Sequence, residues 1–467
     1  MELISHLLEM FLHVGEKVLD LLEDELDYPS FQQELERELN ELGKNICREV
    51  LEGADAWLKQ NPRERKGWVV ERRDESKSVL TPFGLMSFQR TYYRNKRIGG
   101  YAHLADRLAG LTPHAKTDLC VKAKLVDSAA EISYRKTGKQ GWSSLSPENS
   151  VSGQTVMNMI RRTSLDVDPA CFSKGPKAQV RYLHVQADED HVKKQDGGTA
   201  LAKLVYTTDG YGPSLGRRRY LNNVHYTAGL YRDNEVLCQE VYDSIDADYD
   251  LDFTEKIYVS GDGAPWIRSL AEYLGAVFLL DKYHINKCIT ESLAFCPELR
   301  SELWQAVKDF DFSATKSILS KARKTAETAA KRQRVTQCRR YLIGNWDGIY
   351  AWKEEAPHAI GCSAEGHVSH VLSARLSSRP MAWSETGADQ MAKLRAMKAN
   401  GISIKEHVLQ QTKPNLTLTK AVQYAIPKQR EKLRKVSGEV FGNMPALQGS
   451  TMYLRRLLRQ ISSQTII

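Results

Sequence analysis

Residues 182–190 have the sequence Tyr-Leu-His-Val-Gln-Ala-Asp-Glu-Asp, and residues 257–263 have the sequence Ile-Tyr-Val-Ser-Gly-Asp-Gly. Each segment is a short apolar run that ends in an aspartate, Asp188 in the first and Asp262 in the second. Runs of this length and composition predict β-strands. Because ligand sites form where neighbouring strands of an open sheet end, we expect Asp188 and Asp262 to end their strands at one sheet edge.

The surrounding pattern predicts an α/β fold. Three hairpin-like strands are followed by alternating helices and strands, which implies a mixed sheet with helices on its faces. The predicted domain covers residues 178–400, and a segment without any strand pattern, about 285–355, is predicted to be an all-α insertion within it. The predicted strands cover residues 179–187, 199–208, 218–227, 256–260 and 276–280.

A third acid, Glu365, lies in the segment Cys-Ser-Ala-Glu-Gly-His-Val at 362–368. At about 100° per residue, Glu365 shares a helical stripe with Val368, Leu372 and Leu376, so the apolar face is expected to aim the carboxylate at the sheet. Three carboxylates held together repel one another unless a cation neutralises them, and oxygen ligands favour Mg²⁺ or Mn²⁺. Two such ions ~4 Å apart can promote in-line phosphoryl transfer. Any one of these acids on its own could be a helix cap or a turn residue, as Asp262 before Gly263 would be. The three acids considered together favour metal binding.

A second polar cluster, Asp281-Lys-Tyr-His284, follows the last predicted strand. We expect His284 to lie near a scissile phosphate, although a capping Asp281 and a half-buried His284 are the ordinary alternative. Asp190 is an alternative to Asp188 as the first metal ligand, because the two aspartates of the run Asp-Glu-Asp lie two residues apart on the same face of the strand.

Charge is distributed unevenly along the chain, whose formal net charge is +8. Residues 1–60 carry a net charge of −10, residues 63–97 carry +6, and residues 366–467 carry +11. Basic segments of this kind indicate contact with a polyanion, since neutralising phosphates releases condensed counterions. Solvated helical faces are the simpler alternative for any one of them.

The region before the sheet is predicted to form three modules. Residues 1–60 have two apolar helical stripes that suit either packing within the chain or a dimer seam. A basic β-hairpin is predicted for residues 61–100. A helix-turn-helix domain that binds DNA is predicted for residues 101–172. In its second helix Ser152 is the expected N-cap and Val156 and Ile160 face inward. The residues expected to contact DNA are Gln154, Thr155, Asn158, Arg161 and Arg162.

The composition excludes several classes of protein. With 42% hydrophobic and 27% charged residues the chain suits a folded protein, and no apolar run approaches the ~20 residues of a membrane span. The acidic start is unlike a secretory signal peptide. Eight cysteines are scattered without CxxC pairs or zinc-like spacing, so we expect reduced thiols in the cytoplasm.

Several ordered segments resemble the transposases of the ISLre-two group of bacterial insertion sequences. The resemblance implies an RNase H-like catalytic domain of the DDE kind, interrupted by an all-α insertion as in Mutator-like and hAT-like relatives. Asp188, Asp262 and Glu365 then correspond to the DDE trio, and Asp281 and His284 to the C/DxxH signature. The segments that carry the resemblance are 133–136, 152–156, 185–192, 259–267, 280–284, 363–366 and 375–384.

The resemblance implies a Mg²⁺- or Mn²⁺-dependent enzyme with two ions per site. It would cut double-stranded DNA at the terminal repeats of its own element and join the 3′-hydroxyls to target DNA. Arg375, Arg379 and the basic tail 401–467 would contact phosphates, and the protein would act as a dimer or larger oligomer in the bacterial cytoplasm, associated with the nucleoid. The alternatives are an RNase H-like nuclease or resolvase, and a domesticated DNA-binding protein without catalysis.

Overall fold

The computed structural model of the protein describes residues 2–23, 27–108, 110–140, 150–165, 175–213 and 219–411. These residues form two compact units. The first contains the described residues up to 122 together with 150 and 409–411, and the second contains the described residues of 123–140 and 151–408. The helices between 123 and 165, expected in a separate helix-turn-helix domain, therefore belong to the same unit as the residues of the predicted α/β domain.

A long helix packed on a β-hairpin forms the first unit. The hairpin turns at Pro82-Phe83, where Thr81 pairs with Gly84. The long helix packs against the second hairpin strand and against the first helix, so its apolar stripe has a partner within the chain. The elements are α1 (Glu2–Glu23), α2 (Tyr28–Gln60), β1 (Trp68–Thr81), β2 (Gly84–Asn95), β3 (Tyr101–His103) and α3 (Leu104–Leu108).

The second unit contains a five-stranded mixed sheet, as the sequence pattern predicts. Its strands are β4 (Tyr182–Lys194), β5 (Gly198–Thr208), β6 (His225–Gly229), β7 (Lys256–Gly261) and β8 (Val277–Leu280). The order across the sheet is β6-β5-β4-β7-β8. The β4–β5 and β5–β6 pairs are antiparallel, whereas β4–β7 and β7–β8 are parallel. The central strand β4 therefore joins the antiparallel half of the sheet to the parallel half.

The third strand differs from its prediction, which covered residues 218–227. Strand β6 begins only at His225, because polar side chains form a loop before it. The amides of Asn222 and Asn223 donate to Asp209 Oδ2 at 3.2 and 2.6 Å, and Asn223 has a φ of 47°. Such left-handed backbone, stabilised by a side-chain hydrogen bond, interrupts a strand.

Each face of the sheet is covered by helices. Helices α7 (Asn234–Asp248) and α8 (Pro265–Tyr273) share a core with Leu183, Val185 and Ala187 of β4. Helix α14 (Ala364–Val368) also packs on β4 and continues through a π-helical turn, Ser369–Ser373. The remaining helices outside the insertion are α4 (Leu119–Ala129), α5 (Tyr134–Gln140), α6 (Gly153–Arg161), α15 (Ala374–Leu376), α16 (Glu385–Ala399) and α17 (Ile404–Gln410).

Residues 282–355 form an all-helical insertion between β8 and α14. It has its own core, in which Ile289, Leu303, Leu319 and Leu342 are fully buried. The insertion consists of α9 (Lys282–Ser292), α10 (Pro297–Lys308), α11 (Phe312–Thr325), α12 (Ala329–Gly344) and α13 (Trp346–Glu355). In the part of the chain that the structure describes, no helix combines the length and apolar character needed to cross a bilayer.

Candidate active site

Asp188 lies on β4 at the point where the parallel pairing with β7 stops. The last β4–β7 pair is Gln186 with Ser260, whereas β4 continues against β5 as far as Lys194. The expectation that Asp188 ends its strand is therefore wrong, because the antiparallel partner extends β4 beyond it. Side chains alternate between the faces of a strand, so Asp188 shares a face with Gln186, opposite the apolar core.

The carboxyl of Asp188 is in the electrostatic field of two distant acids. Burial is the largest cause that raises the pKa of Asp188, to about 6. The Glu189 backbone N–H, which donates to Asp188 Oδ1 at 2.8 Å, and His284 both lower this pKa, while Asp262 and Glu365 raise it further. The fold therefore brings Asp188, Asp262 and Glu365 into one polar region, although they are far apart in the chain.

Asp262 follows the end of β7 in a tight turn. Its Oδ1 accepts the Ala264 backbone N–H at 2.9 Å, and its carbonyl oxygen accepts the Tyr341 hydroxyl at 2.8 Å. Gly263 has a φ of 87°, and a Cβ there would lie 2.6 Å from Asn345 Oδ1. Asp262 thus fills the turn role that its sequence allowed.

Glu365 lies in the first turn of α14 and is exposed. Val368, Leu372 and Leu376 are buried as predicted, but the buried residue of that first turn is Ala364 rather than Glu365. The predicted stripe is wrong at this position because Ala364, four residues before Val368, holds the packed position of that turn, and Glu365 lies about 100° further round the helix. Glu365 instead lies beside the packed face.

The hydroxyl of Tyr283 donates to Glu365 Oε1 at 3.3 Å. Tyr283 belongs to the first turn of α9, whose N-cap is Asp281. The insertion therefore supplies a contact to the acid that follows it in the chain. No sequence pattern had indicated Tyr283.

Asp281 and His284 lie in the same polar region. Asp281 accepts the Tyr283 backbone N–H at 3.0 Å, and its own N–H donates to the Gly261 carbonyl at 2.8 Å. Burial raises the pKa of Asp281, the Tyr283 N–H and His284 lower it, and Glu365 and Asp262 raise it. His284 Nε2 lies 3.8 Å from Asp281 Oδ2. Asp281 is thus a capping residue, as the ordinary alternative expected, and it is also in the field of two of the candidate ligands.

Asp190 is held differently from Asp188. It is 8% exposed, and its Oδ1 accepts the Ser377 hydroxyl at 2.9 Å. Among the described residues its Oδ2 has no hydrogen-bond partner. Because Asp262 and Glu365 act on Asp188, the geometry favours Asp188 over Asp190 as the first candidate ligand.

The donor set suits a hard divalent cation, since it consists of carboxylate oxygens. Within the described ranges, no three His, Cys, Asp or Glu side chains are close enough to hold one ion as they stand. Glu365 is exposed, so its side chain can change rotamer without disturbing the core. Ion binding at this site therefore requires a side-chain rearrangement.

A buried glutamine connects the two elements that carry Asp188 and Glu365. Gln186 is fully buried, and its Oε1 accepts the Ser363 backbone N–H at 2.7 Å and the Tyr206 hydroxyl at 2.5 Å. Its Nε2 donates to the Gly361 carbonyl at 3.0 Å. Gln186 is not among the residues predicted from the sequence, although an amide inside an apolar strand two residues before an aspartate is an available signal.

Helix α6 has the predicted local structure. Ser152 caps it by accepting the Thr155 backbone N–H at 3.1 Å, and Val156 and Ile160 are buried. Gln154 is exposed and its amide donates to Asn158 Oδ1 at 3.3 Å. The helix therefore presents Gln154, and after its last turn the exposed Arg162, to solvent.

Arg161 does not point outward, which corrects its predicted orientation. Its guanidinium donates to the Ser384 hydroxyl at 2.6 Å. Ser384 is the N-cap of α16. The guanidinium that was expected to contact a base therefore binds the start of that helix instead.

Arg375 was expected to contact phosphates at the surface, and this prediction is wrong because the residue is buried. It is 6% exposed, its Nε donates to the Ala129 carbonyl at 3.0 Å, and its guanidinium lies over the rings of Tyr134 and Trp383. Arg379 is exposed. Most of the predicted basic tail, residues 412–467, lies outside the described residues.

The comparison with known sequences identifies the family of this chain. Residues 21–413 match the model described as "Uncharacterised protein family (UPF0236)". The chain belongs to the UPF0236 family. A UPF0236 protein of Caldanaerobacter subterraneus subsp. tengcongensis is 35% identical over 471 residues, covering 98% of this chain and 99% of the relative.

Two further relatives carry the same family name. One from the same Caldanaerobacter strain is 33% identical over 451 residues, covering 96% of this chain and 94% of the relative. A "UPF0236 protein in vanSb 3'region" of Streptococcus gallolyticus is 25% identical over 351 residues, covering 72% of this chain and 75% of the relative.

Among solved structures, the "Drosophila P element transposase strand transfer complex" matches with a TM-score of 0.23 and 12% identity. The match covers 62% of this chain and 80% of that chain. A similarity of this size carries no argument about the fold or function of the UPF0236 protein.

Proposed function

We propose that this UPF0236 protein is a metal-dependent DNA transposase of the DDE type, with Asp188, Asp262 and Glu365 as its metal ligands. The observation that carries the proposal is the joint position of three acids from distant segments: Asp188 lies on β4, Asp262 follows the adjacent strand β7, and Glu365 lies on α14, which packs on β4. The effect of Asp262 and Glu365 on the pKa of Asp188 agrees with this position. Structural carboxylates are usually paired with cations or capped, so a group of mutually repelling acids indicates a site for a cation.

The position of the acids in the sheet supports an RNase H-like catalytic domain. The first acid lies on the central strand β4, and the second follows the adjacent parallel strand β7. The third lies on α14, which packs on β4. Acids placed on adjacent strands and on a helix over them converge without any long loop, so their separation is set by the rigid sheet.

The names of two relatives support the proposal that the genes of these proteins are mobile. One name joins eleven numbered designations and another joins four, all from one bacterial strain. We interpret each set as copies of one gene. An enzyme that moves its own gene produces such copies, whereas a nuclease with a housekeeping role does not.

Bound Mg²⁺ or Mn²⁺ ions would activate the attacking water or 3′-hydroxyl and stabilise the leaving oxygen. The chain's own residues position the ligands: Tyr283 orients Glu365, and Tyr341 holds the backbone of Asp262. His284 is available to contact the phosphate. Gln186 keeps the start of α14 against β4.

The test uses the full chain, double-stranded DNA that carries the ends of its own element, and a target plasmid. We expect the native chain with Mg²⁺ or Mn²⁺ to cut the ends and to join pre-cut 3′-ends to the plasmid. The Asp188→Asn and Asp262→Asn variants should bind the DNA but lose both reactions. The matched control is Asp252→Asn, since Asp252 is an exposed acid in the loop that precedes β7.

The alternatives predict different products. Cutting without joining would indicate a nuclease or resolvase. DNA binding with neither reaction, or cutting that survives Asp262→Asn, would contradict the proposed transposase and favour a DNA-binding protein or a different active site.

A further inference from the structure

The helical insertion carries a strongly basic surface that the charge analysis of the sequence had not singled out. Residues 312–344, which include α11 and α12, contain nine lysines and arginines and a single acid, Glu327. Some of these cations have local partners: Lys331 pairs with Glu327 at 3.2 Å and Lys321 with Glu302 at 3.9 Å. The density of positive charge nevertheless far exceeds that of an ordinary solvated helix pair.

Several cations of this surface are exposed and have no acidic partner among the described residues. They are Arg323 and Lys324 at the end of α11, and Arg334, Arg339 and Arg340 on α12. The positive charge of these two helices is therefore largely uncompensated by acids of the described chain. A polyanion would neutralise it on binding.

An open cavity of about 720 Å³ connects the basic surface with the candidate active site. Helices α9 and α12 supply its cations, Lys287 and Arg334, and Asp262 lies at its edge. Arg334 and Tyr341 are two turns apart on α12 and both line the cavity, and the Tyr341 hydroxyl contacts the Asp262 carbonyl. The two acids of the lining, Asp262 and Glu291, equal its two cations in number, so the excess of positive charge lies on α11 and α12.

We infer that this cavity and the α11–α12 surface bind the DNA that adjoins the scissile phosphate, with Lys287 and Arg334 contacting phosphates. The inference rests on the proposed function, and it assigns the helical insertion a DNA-binding role. DNA is the polyanion favoured here because the cationic path ends at Asp262, where a phosphodiester would be cut. The exposed cations of α11 and α12 would then contact phosphates of the adjoining duplex.

The first test measures how salt weakens DNA binding. The probe is a fluorescein-labelled duplex of 40 base pairs and arbitrary sequence, and the protein is the full chain carrying Asp188→Asn, so that no cutting occurs. Adding Lys287→Ala and Arg334→Ala together should weaken binding several-fold and reduce the slope of log K against log[salt] by about 2, since each lost phosphate contact removes about 0.9.

The matched control for the salt test is Lys177→Ala. Lys177 is an exposed cation before the start of β4 whose Nζ pairs with Asp246 at 2.9 Å, and its removal should leave the slope unchanged. Circular dichroism melts of every variant establish that each one is folded. A slope equal to that of the parent chain in the folded double variant would overturn the inference.

The second test locates the DNA with two native cysteines of the insertion. Both Cys288 and Cys296 are partly exposed, but only Cys288 is in the cavity lining. Saturating duplex should slow alkylation of Cys288 by N-ethylmaleimide several-fold and leave that of Cys296 unchanged, as read by peptide mass spectrometry. Equal rates for Cys288 with and without DNA would contradict the assigned position.

These outcomes separate the inference from the proposed function. Metal-dependent cutting by the native chain, together with an unchanged salt slope and no protection of Cys288, would overturn only the inference. Protection of Cys288 without any cutting by the native chain would overturn the proposed transposase and leave a DNA-binding surface.

Discussion

The backbone N–H of Ser363 donates to Gln186 Oε1 at 2.7 Å, and this bond joins the strand of Asp188 to the helix of Glu365. Each partner lies two residues before one of the acids. The same Oε1 accepts the Tyr206 hydroxyl, and Gln186 Nε2 donates to the Gly361 carbonyl. Because Gln186 is fully buried, its hydrogen bonds specify where α14 begins on the sheet.

Replacing Gln186 with Leu should destabilise the fold and disturb the site. The change removes the partner of the Ser363 N–H and of the Gly361 carbonyl and leaves the buried Tyr206 hydroxyl only its contact with Ser363 Oγ, which should lower the free energy of unfolding by about 2–4 kcal/mol in urea titrations. As Gln186 is a positioning residue, the Mg²⁺ concentration that half-saturates cleavage should also rise several-fold. The exposed Gln239, replaced by Leu, is the control. A purely structural role would lower stability and leave the Mg²⁺ dependence as it was.

Asp188→Asn should stabilise the metal-free protein while abolishing cleavage. It removes a half-buried charge whose pKa is raised by desolvation and by Asp262 and Glu365, so we expect a gain of roughly 1–2 kcal/mol in the free energy of unfolding at neutral pH. Mg²⁺ should raise the melting temperature of the native chain and have little effect on the variant. A loss of stability in the variant would show that Asp188 has a favourable structural partner.

His184 should make stability depend on pH. It is 4% exposed, its ring stacks on that of Tyr258 at 5.3 Å, and burial lowers its pKa to about 4. The unfolded chain, with a histidine pKa near ~6.5, binds the proton more readily. The stability contributed by neutral His184 is therefore complete above pH ~6.5 and is lost as the pH falls towards 4, by roughly 3 kcal/mol at most.

The measurement is the free energy of unfolding in urea at several pH values between 7 and 4.5. His184→Phe should flatten the decline over this range. The control is His191→Gln, whose parent side chain is 70% exposed and should contribute little. An unchanged decline in His184→Phe would assign the pH dependence to other groups.

Arg375→Ala should act on stability rather than on DNA binding. The guanidinium of Arg375 fills the space between Tyr134 and Trp383 and satisfies the Ala129 carbonyl, so its loss should cost about 2–4 kcal/mol. Thermal melts would detect this cost, and the salt slope of DNA binding should stay at the native value. Replacement of the exposed Arg379 by Ala should leave the melting temperature nearly unchanged. If the folded Arg375→Ala protein showed a reduced salt slope of DNA binding, this result would support the predicted contact of Arg375 with phosphate.

Arginines show most clearly where sequence reasoning was limited. Arg161 and Arg375 lie in polar, basic segments, and nothing local distinguishes them from the exposed Arg162 and Arg379. Their guanidinium groups find partners in segments distant in the chain, at Ser384 and Ala129. Because such a partner is brought close only by tertiary packing, the spacing of apolar residues in the local sequence does not reveal it.

The sequence alone determined the mixed character of the sheet, the helical insertion and the three acids, because apolar runs, their lengths and the acids after them are local properties of the chain. Tertiary structure decided that β4 continues past Asp188, that Ala364 rather than Glu365 holds the packed position in the first turn of α14, and that Gln186 connects the strand to the helix. It also placed Lys287 and Arg334 of the insertion in one cavity with Asp262. The physical reason is that strand pairing, helix phase and buried hydrogen bonds depend on partners that are distant in the sequence.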